Sequence, residues 1–338
     1  MSASPAPRPL ALTMGEPAGI GGEIALKAWR RRSEALVPFL VIDDAGRLEK
    51  LAARIGVSTP VAEIAGPEEA TAVFADALPV LAHRLAAPVT PGRPDPANAP
   101  AVIAAVERAV ALAQSGRVGA VVTNPIHKKS LYDAGFRHPG HTEFLGELAG
   151  GGARPVMMLV CPGLRVVPVT VHLPLSRAVA TLTSDAITYC GEITAAALRR
   201  EFGVDRPRLA VAGVNPHAGE DGSLGREEID IIAPAVEALR RKDIDAHGPA
   251  PADSLFHERA RARWDAVICM YHDQALIALK TIDFDRGVNV TLGLPFVRTS
   301  PDHGSALAIA GSGEAREDSL LAALATAAEI ARRRAGDG

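Results

Sequence analysis

Short apolar runs alternate with longer amphipathic stretches along almost the whole chain, and this alternation most constrains what the sequence can fold into. Leu10–Met14, Val37–Asp43, Ala120–Thr123, Val156–Val160, Val166–Val171, Leu209–Ala212 and Ala266–Met270 have strand length and apolar character. Helical spacing marks the segment holding Ala25, Leu26 and Trp29, and then Ala45–Ile55, Ala99–Gln114, Asp185–Phe202, Glu227–Lys242 and Asp318–Arg334. A strand that is apolar on both faces needs cover on both, and intervening helices supply it. The expectation is an α/β fold built on a parallel, doubly wound sheet. Residues 58–98, rich in Pro and Ala, read as small strands and loops. With 338 residues, the chain should form two domains or one large one, with ample room for a core.

Composition narrows the function. A formal net charge of −3 offers no basic footprint for nucleic acid, and 4% aromatic content argues against stacked-base recognition. Cys161, Cys190 and Cys269 are far apart with no CxxC pair, so neither a disulfide framework nor a thiolate zinc site is expected. The N-terminal MSASPAPRPL is too short and proline-rich for a signal peptide, and no apolar run approaches the length of a membrane span. A cytoplasmic protein with no membrane partner is the expectation.

In open α/β sheets, ligands bind at the carboxyl ends of strands, so polar residues there carry the chemistry. The first strand runs into a turn holding Gly15, Gly19 and Gly21, which lets backbone N–H groups approach an anion, although the spacing is neither a Walker A loop nor a dinucleotide fingerprint. Thr123-Asn124-Pro125 follows another strand, and Gly140-His141-Thr142 presents an imidazole, a hydroxyl and N–H donors at a helix start. His172, His217 and His272 each sit at or shortly after a strand end. Three neutral imidazoles suit a divalent metal and leave coordination positions open for catalysis. The densest stretch is Trp264–Gly311. It contains His272 and Asp273, then Lys280, Asn289 and Arg298, and the turn His303-Gly304-Ser305. From these residues alone two chemistries stay open: metal-activated water for hydrolysis, or hydride transfer from a metal-held hydroxyl to a nicotinamide.

The blocks TMGEPAGIGGEIALKA, TNPIHKKSLYDAGFRHPGHTEF, VHLPL, NPHAGEDGSLGREEID, PADSLF, YHDQALIALK and GVNVTLGLPFVRTSPDHGSALAIAG resemble the 4-hydroxythreonine-4-phosphate dehydrogenase family of vitamin B6 biosynthesis. They follow one another in order over essentially the full chain. The resemblance implies oxidation of 4-phosphooxy-L-threonine with NAD or NADP to 2-amino-3-oxo-4-phosphooxybutanoate. Loss of CO₂ then gives 3-amino-2-oxopropyl phosphate. It implies a two-domain α/β/α architecture similar to isocitrate and isopropylmalate dehydrogenases, with the active-site cleft between domains. Residues 1–125 with 302–338 would form the first domain and residues 126–301 the second. A homodimer sharing its active sites is implied too.

Carried over position by position, His172, His217 and His272 would hold a divalent metal (Zn, Mg or Co). His141, Thr142, Lys280, Asn289 and Arg298 would contact the substrate. Lys280, Asp273 or Asp253 would move protons. His303 and Gly304 resemble the start of the cofactor loop of isocitrate dehydrogenases, and Gly15, Gly19 and Gly21 are the further cofactor candidates. Asp221-Gly222-Ser223-Leu224 stands where many members carry Gly-Gly-His-Met, and Asn124 where some carry glycine. Paralogues acting on 4-phospho-threonate or erythronate, or on aromatic dihydrodiols, are the nearest alternatives.

Overall fold

The computed structural model describes residues 8–32, 37–138 and 140–336, so the expectation about a signal peptide falls largely on residues outside this set. The chain divides into two compact units. One comprises residues 8–154 with 294–335, and the other residues 155–293.

In the first unit the strands are β1 (Leu10–Thr13), β2 (Phe39–Asp43), β3 (Val61–Ile64), β4 (Leu78–Ala82) and β5 (Val121–Thr123), completed by the last strand of the chain, β12 (Arg298–Pro301). They lie side by side in the order β3-β4-β2-β1-β5-β12. Every pairing among them is parallel; in the first, Leu10 sits opposite Phe39. β1 and β2 are buried at every position, which is why their sequences are apolar without alternation. The helix Ala99–Gln114 buries Val102, Ala105, Val106, Ala109 and Val110, one stripe at helical spacing. Pro100 stands in its first turn, where a missing N–H leaves no helix hydrogen bond unmade.

The second unit contains β6 (Val156–Cys161), β7 (Leu164–Thr170), β8 (Arg208–Ala212), β9 (Asp245–Ala250), β10 (Ala266–Tyr271) and β11 (Val288–Leu292). Their order is β11-β6-β7-β10-β8-β9. Here the parallel expectation is corrected. β7, β10, β8 and β9 are parallel, but β6 runs antiparallel to both β7 and β11. The cause is local. Only Pro162 and Gly163 separate β6 from β7, Gly163 takes φ 77°, and so short a link can join only antiparallel strands.

Two boundaries expected from the sequence differ from this division. Residues 126–154 join the first unit because Leu131, Phe144 and Leu145 pack into its core beside Val102 and Val106. Residues 294–301 join it because β12 pairs with β5. The stretch Glu227–Lys242 is not one α-helix: a π-helical turn, Glu228–Ile232, precedes the helix Ala233–Arg240. Among the described residues, no helix is long and apolar enough to cross a membrane.

Candidate active site

In the second unit, β7, β10 and β8 are adjacent and parallel, so their carboxyl ends share one edge. His172 follows β7, the segment Gly213–Glu220 follows β8, and His272 follows β10. The topology therefore gathers three loops that are remote in sequence. The rings of His172 and His272 stand 5.9 Å apart between centroids. Asp273 Oδ1 lies 2.7 Å from His272 Nδ1, which orients that ring and leaves Nε2 to face a ligand. Among the described residues no three His, Cys, Asp or Glu side chains are gathered tightly enough to hold a metal ion; it is His172 and His272 that stand close.

The backbone at these histidines is unusual. His172 has φ 52°, and residues 217 to 221 all have positive φ, with His217 at 52°, Ala218 at 53°, Gly219 at 81°, Glu220 at 42° and Asp221 at 54°. A left-handed turn of L-residues costs about 1–2 kcal/mol at each non-glycine position, so it persists only where the surroundings impose it. Two buried side chains do so. The carboxylate of Glu228 accepts hydrogen bonds from Val214 N and Asn215 N through Oε1, at 2.7 Å each. Its Oε2 accepts from Asn215 Nδ2 at 2.9 Å. Gln274 accepts from Met270 N at 2.7 Å and donates to Gly213 O at 2.8 Å, tying the end of β10 to the start of this loop. Neither residue stands out by type in the sequence; the signal that could have found Glu228 is a paired glutamate just beyond the NPH motif.

The other candidates in this unit are more dispersed. Lys280 lies on the helix His272–Ile282 with Nζ 5.1 Å from the centre of the Phe284 ring. Asn289, on β11, has a buried Oδ1 with no hydrogen-bond partner among the described residues. Asp253 is exposed on the short turn Ala252–Ser254.

In the first unit, Arg298 begins β12 and is 2% exposed. Its Nη2 donates to Thr123 Oγ1 at 2.6 Å, at the end of the neighbouring β5. Burial lowers the guanidinium to about 10. His141 opens the helix His141–Ala149. Its Nε2 is buried and has no partner among the described residues, although the residue as a whole is partly exposed. Burial holds the imidazole well below its usual range, and the positive charges of Arg298 and Lys128 act in the same direction. The positive charges of Arg298 and Lys128 thus act on one imidazole at the start of the helix that also carries Thr142, and cations beside a helix start suit an anion. Lys128 was not singled out from the sequence, where it is one of two adjacent lysines.

The glycine-rich turn is closely packed. A Cβ at Gly15 would lie 2.6 Å from Pro125 O, at Gly19 2.8 Å from Ser305 O, and at Gly21 2.7 Å from Met14 O. The chain itself fills the space these glycines leave, so their small size serves backbone packing. Around that packing a groove of about 690 Å³ opens in the same unit. Leu51, Leu85 and Val89 give it an apolar side, Lys50, Arg54 and Arg84 supply positive charge, and Asp44 and an Arg47 already paired with Asp43 complete the lining. The groove borders Gly19, and Arg54 Nε donates to Gly311 O at 3.0 Å, so the 303–311 segment lies against one of its lining residues. A Cβ at Gly304 would meet nothing within 4 Å, and His303 Nδ1 lies 3.0 Å from Gly304 O. Glu16, buried in the turn, is raised by desolvation and bonds Ala18 N at 3.0 Å. All three cysteines are buried, and burial pushes the Cys161 thiol up to about 11, which keeps that thiol protonated near neutral pH.

Histidines at neighbouring strand ends, cations acting on the helix start at His141 and a groove with basic lining residues are features expected of an α/β enzyme that binds small anionic ligands. More particularly, the chain belongs to the family described as pyridoxal phosphate biosynthetic protein PdxA, whose pattern matches residues 35–327. It is 57% identical to the 4-hydroxythreonine-4-phosphate dehydrogenase of Caulobacter vibrioides, covering 97% of this chain and 98% of that protein. Among solved structures it is similar to the 4-hydroxythreonine-4-phosphate dehydrogenase of Klebsiella pneumoniae, with a TM-score of 0.86 and 38% identity over 96% of this chain and 99% of that one. A more distant likeness, with a TM-score of 0.61 and 28% identity, is to a terephthalate 1,2-cis-dihydrodiol dehydrogenase of Burkholderia xenovorans, covering 94% of this chain and 98% of that one.

Proposed function

We propose that this protein oxidises 4-phosphooxy-L-threonine at C3 with NAD or NADP, and that the 3-oxo acid then loses CO₂ to give 3-amino-2-oxopropyl phosphate. The observation that carries this reading is full-length identity of 57% to a dehydrogenase named for that substrate. The positive charges of Arg298 and Lys128 acting at His141 support it, because the substrate carries a phosphate and a carboxylate.

His172, His217 and His272 would hold a divalent ion, Zn, Mg or Co. Two imidazoles on one ion at 2.0–2.1 Å keep their ring centres about 5 to 6 Å apart, and the 5.9 Å between His172 and His272 fits that span. When bound, such an ion supplies Lewis-acid polarisation of the substrate oxygen on C3. Asp273 fixes the His272 tautomer and so has less freedom to act as a base. Lys280, beside an aromatic ring, is the proposed group that takes the C3 hydroxyl proton and returns one to C2 after CO₂ leaves; Asp253 is the alternative. Asn289 would donate to a substrate oxygen through its amide, with its Oδ1 accepting the substrate amine. Arg298, Lys128 and the His141-Thr142 helix start would bind the anionic end and orient C3.

The basic groove of the first unit fits a dinucleotide, with room for adenosine on its apolar side and cations for the phosphates. A nicotinamide bound there supplies the hydride acceptor. His303 and Gly304 flank the open end of the same loop. Lys50→Glu is expected to raise KM for the dinucleotide about tenfold with kcat little changed, since one attractive charge becomes repulsive, worth about 1.4 kcal/mol. Steady-state kinetics in NAD and in NADP check this, and an unchanged KM for both would remove the groove from cofactor binding.

Large apolar side chains are exposed close in sequence to each histidine loop of the second unit: Leu173 and Leu175, Leu224 and Ile229, Ile277 and Phe284. They support a homodimer whose partner covers these loops. The decisive assay follows NADH or NADPH absorbance with purified protein, divalent metal and 4-phosphooxy-L-threonine. Turnover of 4-phospho-threonate or of a dihydrodiol instead would move the reading to a paralogue. Consumption of substrate without nicotinamide reduction would move it to a metal hydrolase or lyase.

A further inference from the structure

We infer that Glu228 and Gln274 are positioning residues that set the metal affinity of this protein by holding the loop of His217 against the end of β10. The inference rests on the three-histidine reading above. Glu228 is 2% exposed and spends its carboxylate on one segment, accepting from Val214 N, Asn215 N and Asn215 Nδ2. Its contact continues into the turn itself: a Cβ at Gly219 would stand 2.6 Å from Glu228 Oε2, so the carboxylate packs directly against the left-handed backbone two residues beyond His217. Gln274 is 9% exposed and bonds Met270 N on one side and Gly213 O on the other. That amide therefore links the strand that ends at His272 to the strand whose loop carries His217.

The position of Glu228 fits this role. It begins the π-helical turn Glu228–Ile232, and the wider register of such a turn re-aims a single side chain relative to the α-helix that follows. Neither residue is a proposed ligand. Each acts on His217 through backbone alone, as outer groups do when they fix the direction of a metal-binding side chain.

Glu228→Gln separates the two functions of the carboxylate. One oxygen remains to accept from Val214 N and Asn215 N, but the new NH₂ faces Asn215 Nδ2, a donor against a donor. Gln274→Met keeps the volume and removes both bonds of the bridge. Affinity for Co²⁺ is measured on the metal-free full-length protein by competition with a chromogenic chelator, alongside the visible spectrum of the bound ion. Both variants are expected to bind Co²⁺ 10- to 100-fold more weakly than wild type, with an altered spectrum.

Leu239→Ala serves as the control. It removes a buried side chain that packs on Gly191 in the same unit, and it is expected to lower Tm while leaving Co²⁺ affinity unchanged. Wild-type affinity in Glu228→Gln and Gln274→Met overturns the inference, as does an equal loss of affinity in Leu239→Ala. If Glu228→Gln does not fold, Gln274→Met decides alone. His217→Ala, measured beside them, separates the two levels. Weak binding there with tight binding in the positioning variants sinks this inference only, whereas tight binding in His217→Ala sinks the three-histidine reading itself.

Discussion

His217→Ala is expected to lose turnover by about a thousandfold or more while the protein stays folded. Lewis-acid stabilisation of a developing oxyanion is worth several kcal/mol, and each 1.4 kcal/mol is a factor of ten in rate. The fold should survive because His217 is exposed, and exposed substitutions away from packing or capping roles change stability by about 0.5 kcal/mol or less. Alanine also keeps a Cβ at φ 52°, so the cost of the left-handed turn is neither relieved nor increased. Three measurements belong together: kcat by nicotinamide reduction, bound metal by elemental analysis, and Tm. Normal turnover with normal metal content would remove His217 from the centre. A collapse in Tm would mean that the residue supports the fold instead.

Arg298→Ala is expected to act on binding. A charge-assisted hydrogen bond to phosphate is worth about 1.5–3 kcal/mol, so KM for the phosphorylated substrate should rise roughly 10- to 150-fold, with a smaller change in kcat. Stability falls as well, because Thr123 Oγ1 loses its bond from Nη2 and a buried cavity opens. An unchanged KM would falsify the anion-binding role.

The same substitution carries a pH signature through His141. In the native protein its imidazole is held well below its ordinary value, first by burial and then by Arg298 and Lys128. The unfolded chain takes up a proton near pH 6.5, where the native chain does not. Stability from this site is therefore intact above about pH 6.5 and is lost as the pH falls from there toward the depressed native value. Removing Arg298 lifts part of the depression, so the acid loss attributable to His141 should shrink. Denaturant midpoints between pH 7.5 and 5 follow this, and an unchanged slope would show that Arg298 contributes little to the field at His141.

Much of the fold was legible because its central strands are buried on both faces and therefore continuous in apolar residues. Leu10–Thr13, Phe39–Asp43 and Ala266–Tyr271 lie within a residue or two of their expected bounds, and the helix Ala99–Gln114 agrees at both ends. β9 and β12 were not anticipated, for opposite reasons. Asp245–Ala250 is an edge strand paired only with β8 and is partly exposed, so it carries Asp, His and Pro in place of an apolar run. Arg298–Pro301 is fully buried, yet its side chains are polar because they serve hydrogen bonds such as Arg298 to Thr123 and Thr299 Oγ1 to Ala323 O. Hydropathy finds neither kind. The antiparallel β6 was within reach, since two residues cannot cross a sheet, but the regular alternation elsewhere concealed it.

At the site, residue types were legible and geometry was not. His172, His217 and His272 were singled out from motif and strand end, but nothing in NPHAGEDG announces six consecutive residues of positive φ, of which only Gly219 and Gly222 are glycines. Nor does spacing show that His141 feels the charge of Arg298, since the two are 157 positions apart and meet through β12 docking on β5. Glu228 and Gln274 were passed over because a buried carboxylate and a buried amide declare themselves only through the backbone groups they satisfy.

The return of the chain to β12 has a consequence for synthesis. A ribosome delivers residues 8–154 first, but the sheet they form lacks its last strand until residue 301 has been made. It also lacks the helix Asp318–Gly336, which buries Leu320, Ala323, Leu324 and Ala327. Until then β5 is an unprotected edge, and the apolar face awaiting that helix is wet. All of residues 155–293 emerge in the interval and can collapse on contacts of their own. The earliest-made half is thus the last to be finished, and nascent chains halted near residue 294 should depend on chaperones far more than the released protein.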